Sequence, residues 1–356
     1  MPAGQRAPQL RDRVYGRGEL WLAHEHLREC FGEKVLSQVL ISVVVPTYNR
    51  AQVLPGALES LAAQETQGRF EFEVVVVDNG SSDSTAEVLA QLTAPFRAFC
   101  QPQPGESWAR NLGVEMSRGQ WIAFLDDDEV AQPDWLFHLW EQAMVSQCLV
   151  VAGPVLLDLP QAQAEELGPH CRQLLGECGW PTSRILLGND FPACCNALVH
   201  RSVFESIGRF NPDLTVASDT DFFVRARRAG LSGWFSPRPR VRQAVPPQRL
   251  NRDFLLSRAL WQGAYFALLM GQGRSWPTLR IAFPRVVKAV LIHAPCSLWE
   301  RVRGRYWRGL GHQAMVWRAW GCVRAALAVT FPAQLSQGKF FGFLKNQARA
   351  GRGQVR

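Results

Sequence analysis

Four carboxylates follow one another without a break at Asp126-Asp127-Asp128-Glu129. Adjacent acids repel, and a divalent cation offsets that repulsion. Mg²⁺ and Mn²⁺ prefer oxygen ligands, and Mg²⁺ commonly takes one or two carboxylates, leaving the rest of its shell to water and phosphate oxygens. The run therefore reads as a metal–diphosphate site, against the plainer reading of a solvated acidic turn. A second pair of acids stands in Ser218-Asp219-Thr220-Asp221-Phe222-Phe223. Asp219 or Asp221 can serve as a general base, or both can simply suit the dipole of a helix start. Asp78 ends an apolar run, where it can accept hydrogen bonds from a nucleoside or shape a turn. Arg110 has the planar fork that pairs with diphosphate oxygens, with a surface cation as the alternative.

These residues need elements to hold them. Trp121-Ile122-Ala123-Phe124-Leu125 reads as a buried strand that delivers the acids at its end. Ile41-Ser42-Val43-Val44-Val45 is a β-branched run stopped by Pro46, followed by a helical stretch over Val53–Gln64. Phe72 to Val77 is a further strand, ending in the polar loop Asp78–Thr85 before another helix. Phe96–Cys100, Leu149–Val155 and Cys194–Val199 read as additional strands. The strand–loop–helix rhythm predicts an α/β fold with a mostly parallel sheet flanked by helices. Ligands of such sheets bind outside the carboxyl ends of the strands. Gln161–Gly188 has little periodicity and reads as a loop with a helix beside the site.

Five segments together resemble the inverting nucleotide-sugar glycosyltransferases of family 2. They are Val43–Arg50 (VVVPTYNR), Val74–Thr85 (VVVVDNGSSDST), Gly105–Gly113 (GESWARNLG), Phe124–Glu129 (FLDDDE) and Ser218–Gly230 (SDTDFFVRARRAG). Each is weak alone; their order and spacing over one domain carry the resemblance. It implies a GT-A fold over residues 41–240. It places Pro46, Thr47, Tyr48 and Arg50 beside the nucleotide, Asp78 on the base or ribose, and Arg110, Asn111, Asp126 and Asp127 around the nucleotide-sugar. It makes Asp128 and Asp126 the carboxylates that hold Mg²⁺ or Mn²⁺, and Asp219 the catalytic base. The implied reaction moves a sugar from a nucleoside-diphosphate sugar to a hydroxyl of a glycan or lipid-linked acceptor, in cell-surface polysaccharide or glycoconjugate synthesis. Three positions depart from the family pattern: Ser218 replaces a glutamate, Glu129 ends the acidic run, and Gln243 stands where relatives often carry a histidine. A catalytically silent binding module is the competing reading. A nucleotidyltransferase is the weaker one, because the glycine-rich, basic start after the first strand is missing.

Charge divides the 356-residue chain unevenly. From Arg238 to Arg356 there are 21 Lys and Arg against Asp253 and Glu300, whereas the remainder carries 18 basic and 29 acidic residues. Residues 241–356 are read as a basic, Trp- and Arg-rich helical extension. Trp299, Val302, Tyr306, Leu310, Val316, Trp320, Val323 and Leu327 recur at helical spacing, with arginines mostly on other faces. That is the composition of a helix lying in a membrane interface, unless the segment packs on the acidic body instead. No uncharged apolar run reaches about 18 residues, so a conventional membrane-spanning helix is not indicated. No nucleic-acid-binding motif is found. Residues 1–40 are read as an N-terminal extension with one helix over 19–40. That segment has no apolar core like that of a signal peptide. The nine cysteines are irregularly spaced. Both features point to a reducing, cytoplasmic setting, and the basic extension adds peripheral contact with the membrane face. His170, Cys171, Cys178, Cys194, Cys195 and His200 share a region but match no zinc spacing, so they are read as core or surface groups.

Overall fold

The structure is a computed structural model that describes residues 39–331 apart from Asn189, Thr215 and Val216. The expected N-terminal helix lies almost wholly outside the described residues, as does the chain beyond 331. The first strand, β1 (Leu40–Thr47), shows why an unbroken apolar run becomes a central strand. Val43 and Val45 face one side and Val44 the other, and all three are fully buried. Both faces are covered, so alternation with polar residues has no role here.

On one face lie α1 (Leu54–Ala62) and, later in the chain, α4 (Trp135–Ser146), which pack Leu54, Leu58, Leu61, Trp135 and Leu139 into the first core. The chain reaches them through β2 (Glu71–Asp78), α2 (Thr85–Ala90), β3 (Phe96–Cys100), α3 (Glu106–Met116), β4 (Trp121–Phe124) and β5 (Glu129–Ala131). After α4 come β6 (Val150–Ala152), β7 (Val155–Asp158), α5 (Gln161–Leu175), β8 (Arg184–Leu186), β9 (Ala197–His200), α6 (Arg201–Ile207) and α7 (Ser218–Arg228). The second core, on the other face, joins α3, α6 and α7 through Ala109, Val114, Phe204 and Phe222. The last strands are β10 (Gly233–Phe235) and β11 (Val241–Ala244).

The large sheet runs β3-β2-β1-β4-β9-β6-β10-β8, and six of its eight strands point the same way. The expected mostly parallel sheet flanked by helices is present. The chain winds outward from β1 in both directions, so a crevice opens between the carboxyl ends of β1 and β4. A small sheet, β5-β11-β7, closes over one end of it. Leu149–Val155, read as one strand, is two, because Gly153-Pro154 turns the chain from the large sheet into the small one. A side chain at Gly153 would strike the Pro239 carbonyl. Cys194–Asn196 is a short 3-10 turn before β9 rather than strand.

Beyond β11 the chain is helical: α8 (Arg252–Gly271), α9 (Ser275–Lys288), a π-helical turn (Ala289–His293), α10 (Ala294–Val302) and α11 (Tyr306–Thr330). The helices α8 and α11 pack at backbone distance. A methyl group at Gly263 would collide with the Arg318 carbonyl, and one at Gly321 with the Leu260 carbonyl. Leu255, Leu256 and Ala259 of α8 share a core with Leu310 and Ala314 of α11 and with Leu167, Leu174 and Leu175 of α5. The helical extension is therefore joined to the α/β body by a continuous apolar core.

The expected exposed apolar face divides: Trp299, Val302, Tyr306 and Trp320 are exposed, whereas Leu310 is buried in that core and Val316, Val323 and Leu327 are half-buried. Most of the exposed apolar residues of the extension lie on the continuous helix Ser275–Val302. Its inner side carries small or polar residues, among them Thr278, Ala282, Ala289 and Ser297. Its outer side presents Trp276, Phe283, Val290, Leu291, Leu298 and Trp299 to solvent. At 28 residues, this is the one described helix long and apolar enough to cross a membrane by length and composition. Arg280, Arg285, Lys288, Glu300 and Arg301 interrupt it, which is why it did not register as an uncharged run.

Candidate active site

The acidic run divides in two. Asp126, Asp127 and Asp128 form the turn after β4, whereas Glu129 opens β5 and is wholly buried. Glu129 Oε2 accepts a hydrogen bond from the Asp126 backbone N–H at 3.2 Å. Burial, with the Asp126 charge beside it, holds the Glu129 carboxyl far above the usual range. Glu129 thus helps to fold the turn, and with Asp126 and Cys195 it brings three possible ligand atoms within 4.8 Å of one another.

Asp127 and Asp128 are nearly buried. Burial raises the Asp127 carboxyl to about 6, partly opposed by Thr47 and Arg50 and reinforced by Asp128 and Asp126. Asp128 is raised as well, by burial and then by Asp126. Arg50 lies 3.9 Å from Asp127 and 3.7 Å from Asp128, and Arg249 lies 3.8 Å from Asp128. These distances exceed hydrogen-bond contact, so the arginines offset the negative charge without saturating the oxygens. A set of crowded oxygen donors whose acidity is depressed fits a hard divalent cation. Gln243 reaches the same place because β11 pairs with β5 so that it stands opposite Glu129. Its Nε2 donates to Asp128 Oδ1 at 3.3 Å.

Arg110 is buried on α3, and its NH2 donates to Asp126 Oδ1 at 3.0 Å while also pairing with Glu106. Its Nε has no hydrogen-bond partner among the described residues. Asn111, next to it, is engaged elsewhere. Its amide donates to the Phe210 carbonyl at 2.8 Å, and its carbonyl accepts from the Phe210 N–H at 2.9 Å. That pair of bonds pins the segment before α7 to α3 and leaves Arg110 as the member of the pair that faces the cleft. Thr47 and Asp78 lie opposite each other in register at the ends of β1 and β2, with Pro46 one residue earlier. Asp78 Oδ1 accepts from the Ser81 N–H at 3.0 Å. Tyr48 is exposed, and Asn49 accepts from the Ser82 N–H at 2.7 Å, tying the two loops together.

A cleft of about 990 Å³ runs from this turn to the helical extension. Asp126, Arg110 and Asp219 line one end. Asp219 sits in the first turn of α7, where its Oδ1 accepts from the Thr220 N–H at 2.6 Å. Asp221 instead pairs with Arg225 at 2.8 Å and is buried. The far wall is α8, through Arg258, Gln262, Tyr265 and Leu269, with Arg318 of α11. The α5 segment read as a loop with a helix forms a side wall, kinked at Gly168-Pro169. Arg249, Arg258 and the α8 wall were not singled out from sequence. The signal was present: Arg258, Gln262 and Tyr265 form a polar stripe at helical spacing along a helix otherwise rich in apolar residues.

Residues 42–208 match Glycosyl transferase family 2. The chain is 33% identical over 242 residues to the succinoglycan biosynthesis protein ExoM of Rhizobium meliloti, covering 65% of this chain and 75% of that protein. It is 29% identical over 202 residues to the glycosyltransferase AglE of Haloferax volcanii, covering 55% of this chain and 64% of that one. The solved structure of S. aureus TarS 1-349 superposes with a TM-score of 0.47 at 15% identity, covering 85% of this chain and 93% of that chain. The chain belongs to glycosyl transferase family 2.

Proposed function

We propose that the protein transfers a sugar, with inversion, from a nucleoside-diphosphate sugar to a hydroxyl of a glycan or lipid-linked acceptor in polysaccharide synthesis. The observation that carries this reading is the convergence of Asp126, Arg110 and Asp219 at one end of a single cleft, with Asp127 and Asp128 on the adjoining turn. In this reading Pro46, Thr47, Tyr48 and Arg50 border the nucleotide, and Asp78 accepts hydrogen bonds from its base or ribose. Asp128 and Asp126 would hold Mg²⁺ or Mn²⁺, which supplies charge stabilisation for the departing diphosphate. Arg110, Arg50 and Arg249 bring fixed positive charge to the same region. Asp219 takes the proton of the acceptor hydroxyl as its oxygen attacks the anomeric carbon. The bond to the diphosphate breaks on the opposite face, and the leaving group keeps the electron pair.

The cleft between the turn and α8 suits an acceptor, and the exposed outer side of α9 and α10 suits a lipid surface. We place the protein at the cytoplasmic face of a membrane, held peripherally. The test is nucleotide release from a panel of nucleotide-sugars with Mn²⁺ or Mg²⁺ and with EDTA, in wild type and Asp128→Ala. We expect release from one donor that requires both the metal and Asp128. Release that persists undiminished in EDTA and in the variant would remove the metal role. Absence of metal-dependent nucleoside-diphosphate binding in the wild type would remove the transferase reading.

A further inference from the structure

Three of the seven histidines in the chain meet at one point. His170 comes from α5, His293 from the π-helical turn and His312 from α11. The Nδ1 atoms of His293 and His312 are 3.1 Å apart, and one ring nitrogen from each of the three side chains lies within 4.8 Å of the others. The rings stand 4.9 to 5.4 Å apart between centroids. A tetrahedral zinc ion with Zn–N bonds of about 2.0–2.1 Å sets its nitrogens roughly 3.3 Å apart. One pair already approaches that spacing, and the third nitrogen lies within 4.8 Å of both.

We propose that His170, His293 and His312 form a transition-metal site, with Zn²⁺ as the ion its three imidazoles suit. Three imidazole nitrogens match the ligand chemistry of zinc and disfavour Mg²⁺ or Mn²⁺. The acidic turn instead offers mainly carboxylates, with Cys195 beside Asp126 and Glu129, and no imidazole.

Three further features support it. The π-helical turn inserts an extra residue into the helix Ser275–Val302 and keeps His293 buried while Val290, Leu291 and Ile292 face out. Such turns are frequent at functional positions. Gly311 allows α11 to approach α5 here, since a side chain at that position would press on His170 at 3.0 Å. The facing charges are Lys288 and Arg318 around His170, Lys288 near His293, and Glu300 near His312. Glu300 also lies 3.6 Å from Arg305, and its buried Oε2 accepts no hydrogen bond among the described residues. It is available to orient the His312 ring, as carboxylates beside metal-bound histidines do.

The ion would tie the side wall of the cleft to the exposed helix and to α11. The site stands independently of the glycosyl-transfer reading. The test is equilibrium dialysis of the metal-free full chain against Zn²⁺ in competition with a chromophoric chelator, alongside Co²⁺ absorption and thermal unfolding. The expected result is one Zn²⁺ per chain, a tetrahedral Co²⁺ spectrum, and a rise in Tm on Zn²⁺ addition. His312→Gln and His293→Gln should each weaken Zn²⁺ by about 100-fold or more, beyond the 10–100-fold typical of losing an outer-shell partner. Circular dichroism and gel filtration report whether each variant folds, and Asp128→Ala should keep the stoichiometry at one. No stoichiometric Zn²⁺ in the folded wild type would overturn the proposal. So would full binding in folded His312→Gln and His293→Gln, or loss of the ion in Asp128→Ala.

Discussion

Asp221 accepts from Arg225 and lies buried, so its charge is committed within α7. Asp219, two residues earlier, opens onto the cleft. Apart from the family resemblance, which favoured Asp219, the residues left the two equivalent, because both occupy the first turn of one helix. What separates them is helix phase against the cleft, together with an arginine four residues beyond Asp221. We expect Asp219→Asn to lower sugar transfer by about 10²–10⁴-fold while nucleotide affinity stays nearly unchanged, the usual loss for a carboxylate base. Turnover and nucleoside-diphosphate titration check both halves. Near-normal transfer would move the base elsewhere. Asp221→Asn should instead cost stability, about 3 kcal/mol for breaking a buried ion pair, read by urea unfolding. Asp126 and Asp128 were legible as chemistry because acidic runs rarely end buried strands. Glu129 was not distinguishable from its neighbours. Its separate role follows from the start of β5, set by pairing with a strand more than 100 residues away.

At the scale of elements, the central strands and the helices that follow β1 and β2 were readable because short, regular motifs specify them locally, whereas Gln161–Gly188 showed little periodicity. The split at Gly153-Pro154 and the small sheet were not, since they depend on which distant strand accepts the hydrogen bonds. The helix α11 shows the same limit. Its apolar spacing is real, but the partner for that face is α8, with Gly263 and Gly321 setting the approach. Gly263→Val should therefore push the two helices apart. We expect a loss of at least about 1–3 kcal/mol, the usual range for an overpacked contact, measured by chemical denaturation. The same change should perturb acceptor use, because α8 supplies the far wall of the cleft. A variant as stable as wild type would contradict the packing. The histidine trio was equally hidden: His170 had cysteines as its sequence neighbours, whereas its spatial neighbours lie 123 and 142 positions further on.

The whole molecule joins an acidic α/β body to a basic helical layer whose outermost helix is built inside out. Large apolar residues on its exposed side and small ones within are the reverse of a surface helix in water. Lys288, Arg301, Arg303 and Arg305 are exposed around it. Each basic residue near an anionic bilayer contributes about 1 kcal/mol, so a few suffice for reversible attachment. We expect the protein to co-sediment with phosphatidylserine-containing vesicles, to release as salt rises, and to bind neutral vesicles less. A Leu291→Glu and Trp299→Glu double variant should lose about tenfold or more in vesicle binding while keeping its fold, since both side chains already face solvent. Undiminished binding by that variant would place the contact on another surface.

The far wall of the cleft is continuous, through α8 and α11, with the layer that carries that outward-facing helix. With the helix resting on a bilayer, the acidic turn and Asp219 stand at a set height above the lipid plane. On the proposed function the fold would then work as a ruler: an acceptor hydroxyl would be served when its carrier holds it at that height, and one standing nearer to or farther from the lipid would be passed over.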